Sequence, residues 1–436
     1  MSDQEISEQL GILEEENKRL RIAVEELSIL NDIATAITTT QSVDQIVDLI
    51  IQKCVKHLKV EQGAVMLLDE KNQNNPFHTM VRKQDSLSNV LPFRLDTQLT
   101  GWMIKNRVPL LINNFETDTR FTWKPESESP TIRSLLSVPM LIKGRMLGLI
   151  TVFNKKLEQG FTGSDQRLLA IIAAQSSNII ENARLYQEEQ DFLRMQEEMR
   201  LAREIQQNLL PAESPKISGY DIAGCSIPAK DVGGDYFDYI PINDTNLAFC
   251  LGDVSGKGMP AALLMANLQA TLRGQTGALV SSSECITRSN RLMFKSTDDR
   301  KFATLFYGIL DMEKHQILYS NAGHDNPFLV KTNTNIERLS TGGVVLGFVP
   351  EFSFEEENVD FPPGSMLVLY SDGVSEAMNN TGEEFGEKRI ADIIVDCRKE
   401  SAEAIIREIL DKVNHYVDSS LKMDDMTIMV IKRLEV

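Results

Sequence analysis

Apolar residues recur along the chain in two rhythms, and the change of rhythm divides it. Ile6, Leu13, Leu20, Leu27 and Ala34 fall at one heptad position, with Leu10, Asn17, Val24 and Asn31 at the other. That spacing predicts a coiled-coil seam, and branched Val24 with in-register asparagines favours two parallel strands, hence a homodimer. Residues 31–183 then mix helical and strand patterns, among them "VDQIVDLIIQKCVKHL", "GAVMLLDE", "SLLSVPMLI" and "LGLITVFNK", closed by a helix opening at Ser164. Neither glycine nor proline occurs between Gly163 and Pro211, so 47 consecutive residues can be helical, about 70 Å at roughly 1.5 Å per residue. Leu185, Phe192, Met195, Met199, Ala202 and Leu209 give this helix a second, softer seam. After Pro211, short apolar runs separated by Gly, Asn and Asp predict a sheet-rich domain. The chain therefore reads as α+β and multidomain: a coiled coil over 1–30, a compact domain over 31–183, a helical coiled-coil linker over 184–211, and a second compact domain over 212–436.

Charge narrows the partners. With 63 acidic against 45 basic residues the net charge is −18, which repels nucleic-acid backbones and anionic membrane surfaces. The five cysteines are scattered and form no C-x-x-C pair, so neither a disulfide framework nor a zinc site is expected, and a reducing cytoplasm fits. The most apolar stretch is cut by Lys143, Gly144 and Arg145 and no signal segment opens the chain, so no membrane passage is expected.

The chemistry lies in the aspartates. "FDYIPI" and "LAFCLGD" flank a turn at Asn243–Asn246 and predict an antiparallel hairpin. Asp235 lies eight residues before that turn and Asp253 seven after it, so both reach the open end of the hairpin, roughly 25 Å from its tip. "MLVLY" runs into Ser371, Asp372 and Gly373, while "MTIMVIKRL" starts just after Asp424 and Asp425. If those two strands are antiparallel, four or five carboxylates meet at one sheet edge. Such a cluster needs protons or cations, and oxygen ligands suit Mg²⁺ or Mn²⁺. Two such ions sharing an aspartate serve phosphoester hydrolysis.

On these residues the chain resembles known families. "AREIQQNLLP", "VGGDYFD", "LGDVSGKGMPAAL", "FATLFYGILD", "YSNAGHDNP", "LYSDGVSEAMN" and "DDMTIMVI" together look like the SpoIIE-type branch of the metal-dependent serine/threonine protein phosphatases (PPM superfamily). Residues 31–183, with "SVPM", "GLITVFNKK" and "FTGSDQRLLAIIAAQ", resemble a GAF sensor domain. The resemblance implies a GAF domain with a central antiparallel sheet flanked by helices, and an αββα sandwich with its metals at one end. It implies two Mn²⁺ or Mg²⁺ ions, with Asp253 bridging, the Val254 carbonyl adding a ligand, Asp235 on one ion, and Asp372 and Asp424 on the other. Asp424 is preferred to Asp425 because the family motif there places the ligand first. Ser255 stands where eukaryotic relatives carry a histidine general acid, and their phosphate-gripping arginine has no counterpart, though Lys230 lies near. The implied substrate is a phosphorylated anti-sigma-factor antagonist, with an unknown GAF ligand or protein signal acting through "LAREIQQNLLP". His324 can serve a structural turn or the substrate equally well.

Rival readings fit less well. Asn154, Lys155, Phe161 and Asp165 match most of a cyclic-nucleotide motif, but Gln166 replaces its final Glu, and Lys155–Asp165 reads as a structural ion pair. "VGGDYFD" approaches the signature of GTP-cyclising enzymes, yet its glycines precede a strand and do not form a hairpin tip. "GDVSGKG" has neither the glycine spacing nor the Ser or Thr of a phosphate-binding loop. A non-catalytic signalling scaffold is the alternative from another functional class.

Overall fold

The computed structural model describes residues 11–13, 15–17, 20, 24, 28, 43–68, 77–83, 97–115, 117–121, 132–277, 279–297, 301–331, 336–417 and 424–435. They fall into two compact units, Met1–Leu193 and Arg194–Val436. Most of the heptad seam expected over 1–30 lies outside the described residues; those described between 11 and 28 are helical.

The first unit contains α1 (Val43–Leu58), β1 (Val60–Leu68), β2 (Phe77–Lys83), α2 (Thr97–Asn106), β3 (Leu110–Ile112), β4 (Leu135–Ile142) and β5 (Arg145–Lys155), and α3 (Gly163–Gln207) begins in it. Its sheet runs β2-β1-β5-β4-β3, antiparallel throughout. Period-two alternation sends Val65, Val138, Ile150 and Val152 to one face, against Ile46, Ile50 and Cys54 of α1 and Leu169 and Ile172 of α3. Ala64, Met66, Leu135, Leu149 and Phe153 take the other face with Leu99 and Met103 of α2. Lys155 and Asp165 form the expected ion pair at 2.7 Å, with side chains only 7% and 15% exposed. Asp165 also accepts from Thr162 N at 2.8 Å, and Asn154 Nδ2 donates to Glu61 at 2.7 Å, so the motif's polar groups are spent on structure. In α3 the buried residues all lie between Leu169 and Ile180, while Leu185, Phe192, Met195 and Leu201 are exposed.

The second unit continues with β6 (Tyr220–Ile227), β7 (Tyr236–Pro241), β8 (Asn246–Val254), α4 (Met259–Gln275), α5 (Ser282–Ser296), β9 (Ala303–Asp311), β10 (Gln316–Ala322), β11 (Phe328–Val330), β12 (Ile336–Arg338), β13 (Gly342–Gly343), β14 (Glu357–Asp360), β15 (Met366–Tyr370), α6 (Asp372–Ser375), α7 (Gly386–Asp396), α8 (Ala402–Tyr416) and β16 (Met426–Arg433). One sheet runs β13-β10-β9-β8-β7, with β14 on β10, and the other β12-β11-β15-β16-β6. Between them lie Phe237, Phe249, Leu251, Phe306, Leu367, Leu369 and Met429. The first sheet's outer face packs Tyr236, Ala248 and Cys250 on Met265 and Leu268 of α4; the second packs Val368, Ile428 and Val430 on Ile390, Ile405 and Ile409 of α7 and α8. This is the αββα sandwich that the resemblance implied.

Inside the first sheet one charged residue is wholly buried. Asp238 accepts from Tyr236 Oη at 2.6 Å, Tyr239 N at 2.8 Å and Arg273 Nε at 2.7 Å, so its charge is matched and fully hydrogen-bonded. That ties α4 to the hairpin whose open end carries the site.

Candidate active site

The β7–β8 hairpin pairs Tyr236 with Gly252 and Pro241 with Leu247, which sets Asp235 against Asp253 one step beyond the last pair. Its tip is tightened by the Asn243 side chain, whose Oδ1 accepts from the backbone N–H groups of Thr245 and Asn246 at 2.9 and 2.8 Å. In the other sheet β15 and β16 are antiparallel, Tyr370 facing Ile428, so Asp372 follows the end of one strand while Asp424 and Asp425 precede the start of its neighbour. Counting from a turn thus located Asp235 and Asp253, and the antiparallel pairing on which the reading of Asp372 and Asp424 depended is present.

Ser371 joins the two halves. Its Oγ donates to Asp235 Oδ2 at 2.7 Å and accepts from Thr427 N at 2.9 Å. Asp235 is 4% exposed, and its second oxygen, Oδ1, is buried without a hydrogen-bond partner. Burial first, and then the charge of Asp253, raise the Asp235 carboxyl well above the ordinary range. Asp253 is pushed up to about 7, by burial and then by Asp372, Asp424 and Asp425. The Asp372 carboxyl is likewise raised, by burial and then by Asp424. This is the signature of like charges crowded in a poorly solvated cleft.

The two remaining aspartates do different work. Asp425 accepts from Ala229 N at 2.7 Å and Gly234 N at 2.6 Å, bracing the loop that carries Asp235. A Cβ at Gly233 would stand 2.5 Å from that carboxylate, and one at Gly234 would stand 2.7 Å from the Val254 carbonyl oxygen. The paired glycines are therefore there for close approach, not for contact with a nucleotide. Asp424 instead meets Lys257 Nζ at 2.6 Å. With these two so engaged, no group of three or more Asp, Glu, His or Cys side chains is arranged to hold a metal ion among the described residues. The expected convergence of carboxylates is present as proximity rather than as a closed ligand shell.

The donor set nonetheless fits hard divalent cations. An unpartnered, buried carboxylate oxygen on Asp235, the half-buried Asp253 carboxyl beside it and the nearby Val254 carbonyl offer oxygen ligands only, the chemistry Mg²⁺ and Mn²⁺ prefer.

Four features escaped sequence reasoning. Lys257, rather than Lys230, is the cation that reaches the carboxylates. Asp325 sits close enough to Asp372 for burial and that charge to push its own carboxyl up to about 6. Ser255 Oγ accepts from Phe302 N at 3.0 Å, which ties the loop after Asp253 to the segment leading into β9. Gln206, near the end of α3, donates to the Gly233 carbonyl at 2.6 Å and accepts from Gly233 N at 3.1 Å, gripping both polar groups of one residue in the Asp235 loop. Only its place in the "AREIQQNLLP" motif hinted at that.

Both units of the chain have known relatives. The family model described as stage II sporulation protein E (SpoIIE) matches residues 243–434, and that of the GAF domain matches residues 40–181. The phosphoserine phosphatase RsbU of Bacillus subtilis is 31% identical over 255 residues, which cover 57% of this chain and 75% of RsbU. The chain belongs to the RsbU-like, SpoIIE-type phosphatase family. Another member of this similarity group, protein IcfG of a Synechocystis species, is 29% identical over 266 residues, 54% of this chain and 41% of IcfG. Among solved structures, the SiaA-PP2C domain of Pseudomonas aeruginosa is similar at 18% identity with a TM-score of 0.49, covering 56% of this chain and 99% of that domain. As an RsbU-like, SpoIIE-type protein, the chain joins a GAF domain to a SpoIIE-type phosphatase domain.

Proposed function

We propose that this protein is a metal-dependent phosphoserine and phosphothreonine protein phosphatase that removes phosphate from an anti-sigma-factor antagonist under the control of its GAF domain. The observation that carries the reading is the buried, unpartnered Asp235 oxygen set among Asp253, Asp372 and Asp424 at one end of the sandwich. Asp253 would be the shared ligand, with Asp235, the Val254 carbonyl, Asp372 and Asp424 as the other groups that would hold the ions. Two Mn²⁺ or Mg²⁺ ions held there would supply Lewis acidity to the phosphoryl group and to the attacking water.

The chain's own residues do the rest. Ser371 orients Asp235 through one oxygen and leaves the other for the cation. Asp425 fixes the backbone around Gly234. Lys257, on the loop after Asp253 and more than half exposed, brings a positive charge to a cleft that must admit a phosphate dianion. The exposed apolar residues of α3 after Ile180 support a parallel homodimer through this helix. No described helix is long and apolar enough to cross a membrane, in keeping with a cytoplasmic role.

The test is phosphate release from a phosphoserine peptide and from a phosphorylated antagonist protein by the purified full chain with Mn²⁺. Turnover that chelation abolishes and Asp253→Asn does not support is expected. A folded protein without turnover on either substrate would point to a non-catalytic scaffold.

A further inference from the structure

One buried histidine stands between the two sheets at their acidic end. His324 lies in the connection from β10 to β11, which carries the chain from one sheet to the other. Its backbone is clamped by the Asn321 side chain, whose Oδ1 accepts from His324 N at 2.8 Å and whose Nδ2 donates to His324 O at 3.0 Å. Gly323 supplies the positive φ of 67° that this tight turn requires. The ring is thereby aimed before any side-chain contact is counted.

Its two edges meet different sheets. Nδ1 lies 2.9 Å from Thr304 Oγ1, and Thr304 is the β9 residue paired with Asp253. The Thr304 hydroxyl accepts from Asp253 N at 3.3 Å. Towards the other sheet, the ring lies close enough to the Tyr370 carbonyl to feel it, although Nε2 is buried without completing a hydrogen bond. Tyr370 ends β15, directly before Ser371 and Asp372. The shorter contact favours one proton order: Asp253 N–H to Thr304, Thr304 O–H to Nδ1 at 2.9 Å rather than to the Asp253 carbonyl at 3.4 Å, and the remaining proton on Nε2. Burial also holds the imidazole down to about 4, so the ring is neutral near pH 7 and adds no charge that would oppose a cation.

We propose that His324 is a positioning residue for the divalent cations: as the spacer between Thr304 and the Tyr370 carbonyl it fixes the separation of the Asp253 and Asp372 strand ends. A rigid ring with a polar atom on each edge suits this task, whereas an aliphatic side chain of similar size would fill the space and leave Thr304 tied only to the Asp253 backbone, by contacts of 3.3 and 3.4 Å. Partners that orient metal ligands from behind typically govern affinity by about 10- to 100-fold. The inference rests on the reading that the acidic cluster binds divalent metal.

The experiment is calorimetric titration of Mn²⁺ into the full chain, for wild type, His324→Leu, His324→Gln and Thr304→Val, with circular dichroism and thermal unfolding in parallel. His324→Leu and Thr304→Val should bind Mn²⁺ about ten-fold more weakly or worse. His324→Gln, which keeps a polar end, should recover part of the loss, and turnover should rise again at saturating Mn²⁺. A general packing defect would lower the unfolding temperature without this selective change in metal affinity. Folded His324→Leu with Mn²⁺ affinity within about two-fold of wild type would overturn the role, and if that variant does not fold, the same result for Thr304→Val would do so. Wild-type protein that takes up no Mn²⁺ would overturn the metal-site reading as well, which separates the two failures.

Discussion

Replacing Gln206 by leucine removes both hydrogen bonds to Gly233 while keeping a good helix former of similar size. Each bond contributes about 1 kcal/mol net, so the pair is worth about 2 kcal/mol. At 1.4 kcal/mol per tenfold, that is about 30-fold in the balance between a held and a released Asp235 loop. If only the held loop presents Asp235 to its cations, kcat/KM on a phosphoserine peptide should fall by up to about 30-fold at limiting Mn²⁺ and recover partly as Mn²⁺ rises. Gln207→Leu, one residue on and exposed, is the control for general helix effects. The assay is initial-rate phosphate release across a Mn²⁺ series, with unfolding temperature recorded for each variant. Gln206→Leu with kcat/KM within two-fold of wild type at every Mn²⁺ concentration would refute the latch, whatever its stability.

Three further outcomes are expected. Gly234→Ala places a methyl group 2.7 Å from the Val254 carbonyl oxygen, a contact the backbone must widen at about 1–3 kcal/mol; turnover should fall by about 10²-fold, and phosphate release by a folded variant checks it. Lys155→Met leaves Asp165 with Thr162 but without its cation, so urea unfolding should show a loss near the low end of the roughly 3–5 kcal/mol for a broken buried pair. Because burial depresses the His324 imidazole, its neutral form contributes stability above its ordinary range near 6.5 that is lost as pH falls toward about 4. Over that window wild type should lose more stability than His324→Gln, as measured by denaturant midpoints.

The sequence carried the parts of the site that follow from counting. Asp235 and Asp253 could be placed together because a hairpin's register is set by its turn, and the Tyr236–Gly252 pair bears this out. The antiparallel pairing of β15 with β16 did the same for Asp372 and Asp424. What could not be counted were contacts made by packing one element on another. Asp425 reaches Gly234 across 191 residues and Gln206 reaches Gly233 across 27, and neither spacing has a period. The Lys155–Asp165 pair was legible because both residues belong to one short motif, Asn154, Lys155, Phe161 and Asp165, whose charges are of opposite sign.

The strand order of the second sheet has a consequence for synthesis. β16, the last of the described strands, is an interior strand flanked by β15 and β6, and Asp424 and Asp425 enter with it. Until the β16 segment has emerged from the ribosome, the sheet lacks its interior member, the Asp235 loop lacks its brace, and the cleft lacks part of its charge. A nascent chain therefore cannot complete its acidic cleft before β16 has emerged, and truncation before Asp424 should yield a chain whose GAF unit folds but whose second unit does not.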